Sequence, residues 1–157
     1  MIYYGDEAGM WGGNDPDDRM PMMWPDLKFA PQAIDPRGGT RKADEVGFDV
    51  DLFAFYKAAA ALRKKHDALR RGEFRIAGTF DAEQTFAFER RLGDASLIVV
   101  LNRSEQTRTV QVKVEGKFAN PRVIFTSSNE QAATKPVFAA GVLTVTLPAL
   151  SGAVIAP

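Results

Sequence analysis

Leu97-Ile98-Val99-Val100-Leu101 is a continuously apolar run and suits a central strand. To either side of it the sequence has a period of two. Phe86 and Phe88 share a face between Thr85, Ala87 and Glu89. Val110, Val112 and Val114 alternate with Thr109, Gln111 and Lys113, and Leu143, Val145 and Leu147 alternate with Thr144 and Thr146. Each pattern reads as a half-buried antiparallel strand. Further strands are expected at residues 73–76, 122–126 and 152–155. Turn signals sit between them at Gly93-Asp94, Asn102-Arg103-Ser104, Asn120-Pro121 and Ala139-Ala140-Gly141. Seven or eight short strands with no helix among them predict an antiparallel β-sandwich over residues 73–157.

Before Gly72 the period is 3.6. Leu52, Phe55, Tyr56, Ala59, Leu62, His66 and Leu69 recur on one stripe, which predicts a helix over about 51–71. Asp49 or Asp51 can cap its first turn. Arg63, Lys64, Lys65, Arg70 and Arg71 crowd its C-terminal half, where positive charge complements the helix dipole. Gly72 is the expected stop.

Residues 5–47 hold seven of the thirteen Gly and five of the nine Pro. A loop of about forty residues far exceeds the usual length, so the segment is either functional or not a plain loop as written. It is no linker, because it carries Trp11, Met20, Met22, Met23, Trp24, Leu27 and Phe29. The stretch before it, Ile2-Tyr3-Tyr4, reads as a short strand that Gly5 ends. A lone strand needs neighbours for its hydrogen bonds and its apolar faces. The opening is therefore expected to be the end of a larger body.

The totals bound the partners. Twenty Lys and Arg balance twenty Asp and Glu, which argues against nucleic acid as a main partner. No apolar stretch approaches the roughly 18 residues of a membrane span. Zero cysteines exclude disulfides and thiolate catalysis, and one histidine makes a Ser-His-Asp triad or a His-rich metal site a poor fit. No cofactor or metal ligand set is expected. A cytoplasmic protein and a bacterial secreted one both fit.

Asp15-Pro16-Asp17-Asp18-Arg19 is the densest polar cluster. Asp15 and Arg19 stand one helical turn apart if the segment winds, so both heads could point to one side. A carboxylate beside a guanidinium fork suits neutral polyhydroxylated ligands. Trp11 and Trp24 could supply apolar platforms for sugar faces. The alternative is a solvated turn in which Arg19 only neutralises its acidic neighbours. Asp6-Glu7 invites an acid/base reading, but glycosidase carboxylates must converge across a bond roughly 5–10 Å apart. Adjacent residues at a strand end point to opposite faces, so one of the two is read as a structural ion-pair member. His66, on the apolar stripe, is read as a hydrogen-bonded core residue rather than a catalytic one.

The runs Ile2-Tyr3-Tyr4-Gly5-Asp6-Glu7-Ala8-Gly9-Met10, Gly12-Gly13-Asn14-Asp15-Pro16 and Arg19-Met20-Pro21-Met22, with Trp24, resemble the α-amylase superfamily of glycoside hydrolases. The nearest likeness is to its neopullulanase, cyclomaltodextrinase and maltogenic amylase branch. The resemblance implies an α+β chain: the last strand, loop and helix of a (β/α)8 barrel over residues 1–72, then an antiparallel β-sandwich over 73–157. It implies that Asp15 and Arg19 match the family's DPxxR pair, which holds glucosyl units. It also implies that the nucleophile, the acid/base Glu and the stabilising Asp lie on earlier strands, whose motifs do not occur here. An α-glucan or maltooligosaccharide is then the ligand, the missing barrel is the partner, and calcium belongs to the parent if anywhere. The competing expectation is a non-catalytic carbohydrate- or protein-binding module, or a sandwich whose role is purely structural. The exposed helix stripe favours self-association.

Overall fold

A computed structural model describes residues 1–13, 15, 18–34, 39–115, 118–128 and 133–157, with Ile34, Thr40 and Arg41 described by backbone alone. The chain forms two compact units, Met1–Ala58 and Ala59–Pro157.

The second unit is the sandwich. Its strands are β3 (Glu73–Phe80), β4 (Thr85–Leu92), β5 (Ala95–Asn102), β6 (Arg108–Lys113), β7 (Arg122–Thr126), β8 (Lys135–Ala139), β9 (Val142–Leu147) and β10 (Ser151–Ala156). One sheet has the order β3-β4-β5-β10-β7 and the other β6-β9-β8, and every pairing is antiparallel. The apolar run at 97–101 is the middle strand of the larger sheet, as its composition requires.

The core lies between the sheets. Val110, Val112, Leu143, Val145 and Leu147 come from the smaller sheet, and Ala87, Ile98, Val100, Ala153 and Ile155 from the larger. These side chains are essentially inaccessible to water. Leucine and valine at alternate positions interdigitate across such a gap, which is what gives a sandwich its single packing.

Composition alone would send the two rings of β4 inward, and the structure puts them outward. Ala87 pairs with Val100 and Glu89 with Ile98, so the pleat turns Thr85, Ala87 and Glu89 to the core. Phe86 and Phe88, opposite Leu101 and Val99, go to the outer face, where Phe88 packs on Phe74 at 5.0 Å between ring centroids. The register of β5 decides the matter, because a one-residue slip would exchange every side chain between faces.

The expected single helix over 51–71 is two. Helix α1 (Val50–Lys65) stops before His66, which has extended backbone with φ −112° and ψ 108°, and α2 (Asp67–Arg71) resumes after it. Asp49 caps α1 as the sequence suggests, its Oδ1 accepting from the Leu52 N–H at 2.9 Å. The Arg63 guanidinium donates to the Leu69 carbonyl and so ties the end of α1 to α2 across the break. His66 is half-buried and caps α2 without a side-chain hydrogen bond, so the expected hydrogen-bonded core role is not met at that cap. No residue of α1 is fully buried; its apolar stripe is covered only in part. Helix α2 covers one end of the larger sheet's outer face, with Ala68 and Leu69 against Leu97, Val154 and Ala156.

Two further expectations are corrected. Residues 2–4 form no strand in the described chain: Ile2, Tyr3 and Tyr4 are exposed, as a segment without paired neighbours must be. The long loop that follows carries secondary structure that its sequence pattern does not announce. It contains a one-turn 3-10 helix at Asp6–Ala8 and a hairpin of β1 (Gln32–Ile34) and β2 (Thr40–Asp44). Strand β8 also went unread, since Pro136 argues against a strand; it is tolerated because β8 is the edge of its sheet.

Gly72 ends α2, though in extended rather than left-handed conformation. Its role is close approach: a Cβ there would lie 2.4 Å from the Ala68 carbonyl oxygen and 2.7 Å from that of Arg91. Gly72→Ala should therefore cost about 1–3 kcal/mol in urea unfolding, through displacement of α2 from β4. A change below about 0.5 kcal/mol would show that helix and strand do not meet this closely.

Candidate functional site

The loop of the first unit is tied down at several points. The Tyr3 N–H donates to Asp6 Oδ2 at 2.9 Å, and the Tyr4 hydroxyl donates to the Met20 carbonyl at 3.1 Å. Gly5 and Gly9 take positive φ, +89° and +64°, on either side of the 3-10 turn. Glycine is needed at Gly5 in particular, because a Cβ would lie 2.7 Å from that of Met10. Met23 is buried and anchors the far side of the loop.

Within this frame Arg19 makes an ion pair with Asp15, and its Nε lies 3.8 Å from Asp18 Oδ1. Both side chains of the main pair are about two-thirds exposed, at 66% and 65%. Gly12 lets the segment fold back: its Cβ position lies 3.3 Å from the Asp18 Cα. The expected helical turn between Asp15 and Arg19 includes Pro16 and Asp17, which lie outside the described residues, as does Asn14. An exposed pair of this kind adds at most about 1 kcal/mol to stability. Stability is therefore a weak reason for its presence.

The two tryptophans are placed differently. Trp11 is half-buried and its Nε1 donates to Asp44 Oδ2 at 3.2 Å, so its indole braces the loop against β2. Trp24 is 57% exposed at a turn closed by the Leu27 N–H on its carbonyl at 3.1 Å. Of the two, Trp24 has the open face that stacking requires.

The Asp6-Glu7 pair sits in the 3-10 turn rather than at a strand end. Asp6 serves as a local acceptor for Tyr3, whereas Glu7 Oε2 is buried with no hydrogen-bond partner among the described residues. Among the described residues no group of three or more His, Cys, Asp or Glu side chains is placed to hold a metal ion.

Sequence reasoning missed the most strongly organised polar group of the chain, in the sandwich. Glu89 is buried, yet its carboxylate accepts from Arg75 Nη2 at 2.8 Å, Arg91 Nε at 2.9 Å and Ser96 Oγ at 2.6 Å. Burial pushes this carboxyl up, but the Ser96 hydroxyl and the Arg91 and Arg75 guanidiniums outweigh it and leave it below the usual range. The signal in the sequence was a Glu at an inward position of an alternating strand. It needed Arg75 and Ser96 from the two neighbouring strands, with Arg91 from its own, to become legible. A second buried group, Asn102, donates to the carbonyls of Gln106 at 2.8 Å and Pro148 at 2.7 Å, while its Oδ1 accepts from the Ser104 N–H and hydroxyl.

Comparison with known proteins agrees with this architecture. Residues 80–157 match the family described as the α-amylase C-terminal all-beta domain. A cyclomaltodextrinase from a Bacillus species is 34% identical over 110 residues, 70% of this chain and 16% of that protein. Neopullulanase 2 from Thermoactinomyces vulgaris is 35% identical over 114 residues, 73% of this chain and 16% of its own. A crystal structure of a debranching enzyme from Nostoc punctiforme superposes with a TM-score of 0.68 at 24% identity, covering 99% of this chain and 27% of that one. The chain thus spans about a sixth of the length of these curated relatives.

Folding lowers the carboxyls of both Glu89 and Asp67, the latter through hydrogen bonds from Arg70 and Arg71. Their contribution is then complete above the ordinary carboxylate range and is lost as pH falls through the folded values. Glu89→Gln should lose about 1–3 kcal/mol near neutral pH and show a flatter decline between about pH 5 and pH 3. Parallel acid limbs for the two proteins in urea titrations would remove Glu89 as a source of acid sensitivity. By its sandwich and by these matches, the chain belongs to the α-amylase superfamily of glycoside hydrolases, and residues 80–157 are its C-terminal all-beta domain.

Proposed function

We propose that the chain is the C-terminal part of an α-glucan-cleaving glycoside hydrolase of the retaining, α-amylase type. Its first unit contributes a sugar-binding loop and its second a stabilising sandwich. The observation that carries this reading is the exposed Asp15–Arg19 pair on a loop braced from Tyr4 to Met23, on a chain of this family. A carboxylate accepts hydroxyl protons and a guanidinium donates to hydroxyl oxygens, so together they can hold one sugar unit from two sides. Trp24 offers the open apolar face. Trp11 acts at one remove, holding the loop on Asp44.

Such a pair orients a sugar and does not break its bond. Cleavage with retention needs two carboxyl groups about 5 Å apart on either side of the glycosidic oxygen. On this reading those groups belong to the barrel strands of a longer protein, of which residues 1–72 are the last part, and the chain alone turns over no glucan. Residues 2–4 then gain strand neighbours in that barrel, and Glu7 Oε2 gains a donor there.

The sandwich's own part is to cover and to dock. Phe74, Ile76 and Leu101 stand 55%, 60% and 42% exposed on the outer face of the larger sheet, beyond the reach of α2. An apolar face of this kind favours a partner surface, here the remainder of the longer protein. In the chain by itself, this face and the half-covered stripe of α1 favour self-association. The same exposed face supports the second reading, a carbohydrate- or protein-binding module with no part in catalysis.

Arg19→Ala separates the readings. It should weaken maltooligosaccharide binding to the chain roughly tenfold or more, the loss of a charge-assisted contact. The unfolding free energy should change by less than about 1 kcal/mol, because the pair is exposed. Unchanged affinity in a folded Arg19→Ala protein would return Asp15 and Arg19 to a solvated turn.

A further inference from the structure

The turn joining β3 to β4 and the turn leaving β5 meet at one end of the larger sheet. The Gln84 N–H closes the first turn on the Asp81 carbonyl at 3.2 Å, and the Arg103 N–H donates to the Gln84 carbonyl at 2.9 Å. Gln84 takes φ +54°, a left-handed conformation uncommon outside glycine. A side chain is therefore retained where glycine would be less strained, a cost that the structure must offset elsewhere.

Between the two turns runs a groove of about 460 Å³. Phe86 and Leu101, paired on the outer face of the sheet, supply an apolar wall, and Asp81, Gln84 and Arg103 stand at its rim. The rim side chains are exposed, and none of the three has a side-chain hydrogen bond or ion pair among the described residues. Helix α2 lies elsewhere: it packs at the other end of β4, where Arg90 donates to the carbonyls of Ala68 and Gly72.

We propose that this groove is a second carbohydrate site, on the sandwich and distinct from the Asp15–Arg19 loop, which takes a short segment of an α-glucan chain. The chemistry selects the ligand class. One carboxylate and one guanidinium facing the same space cancel, so the rim favours neither a cation nor an anion. With the Gln84 amide they present acceptors and donors together, which matches the paired lone pairs and protons of sugar hydroxyls. The half-buried Phe86 ring behind them suits the C–H face of a pyranose. The volume lies in the range of small-ligand clefts. That the sugar is an α-glucan rests on the function proposed above; the groove's preference for a neutral polyol does not.

The test is an amide-resolved NMR titration of the 157-residue chain with maltoheptaose. Saturable shifts in the millimolar range are expected at residues 81–84 and at Arg103. Arg103→Ala and Asp81→Asn, both at exposed positions, should each weaken them roughly tenfold. Arg19→Ala should leave them in place. Shifts confined to the neighbourhood of Asp15 and Arg19 would overturn the groove and leave the loop intact. Shifts at the groove alone would support it and remove the loop reading. No shift at either place overturns both, and groove shifts that survive Arg103→Ala and Asp81→Asn unchanged overturn this assignment.

Discussion

The structure depends on the contact between two sheets whose inner faces are apolar and whose ends are closed by polar groups. Val110, Val112, Leu143, Val145 and Leu147 meet Ala87, Ile98, Val100, Ala153 and Ile155 in the dry middle. At one end of β4 and β5, Glu89 is held by Arg75, Arg91 and Ser96. At the other end, where Asn102 pairs with Thr85, Asn102 gathers the carbonyls of the flanking turns. A buried carboxylate or amide is costly unless its hydrogen bonds are made. Both sets are made only when β3, β4, β5 and the turn before β10 are in register. The polar ends thus fix the alignment that the apolar middle would leave degenerate.

Much of this was legible because burial follows period. Alternation at 110–114 and 143–147 identified β6 and β9 and their inward faces, and the run at 97–101 identified the central strand. Asp49 was readable as a cap because its geometry is local. The orientation of β4 was not, since alanine and glutamate face the core only by virtue of the neighbouring strand's register. The break at His66 escaped the stripe, because the residues on both sides keep helical spacing while the backbone between them does not. Strand β8 was hidden by Pro136, and the opening strand failed for want of partners. Each miss belongs to tertiary context overruling a local pattern.

The candidate site shows the same division. The identities of Asp15 and Arg19 and their spacing were readable, and the pair does form an ion pair. The separate fates of the two tryptophans were not, since one indole finds Asp44 thirty-three residues away while the other stays open to solvent. In the proposed reading the exposed polar groups at the loop and at the sandwich turn hold hydroxyls, while the buried carboxylate at Glu89 is fully committed to arginines and a serine. A group so committed is unsuited to exchange a proton with a substrate. The chain, on this reading, positions a sugar and leaves the cutting to carboxyl groups beyond it.

The most direct test of that division of labour is the release of reducing ends from cyclodextrin or pullulan by the pure 157-residue chain. No release above the uncatalysed background is expected over prolonged incubation. Steady turnover that copurifies with the chain and disappears on substitution of Asp6, Glu7 or Asp15 would contradict it.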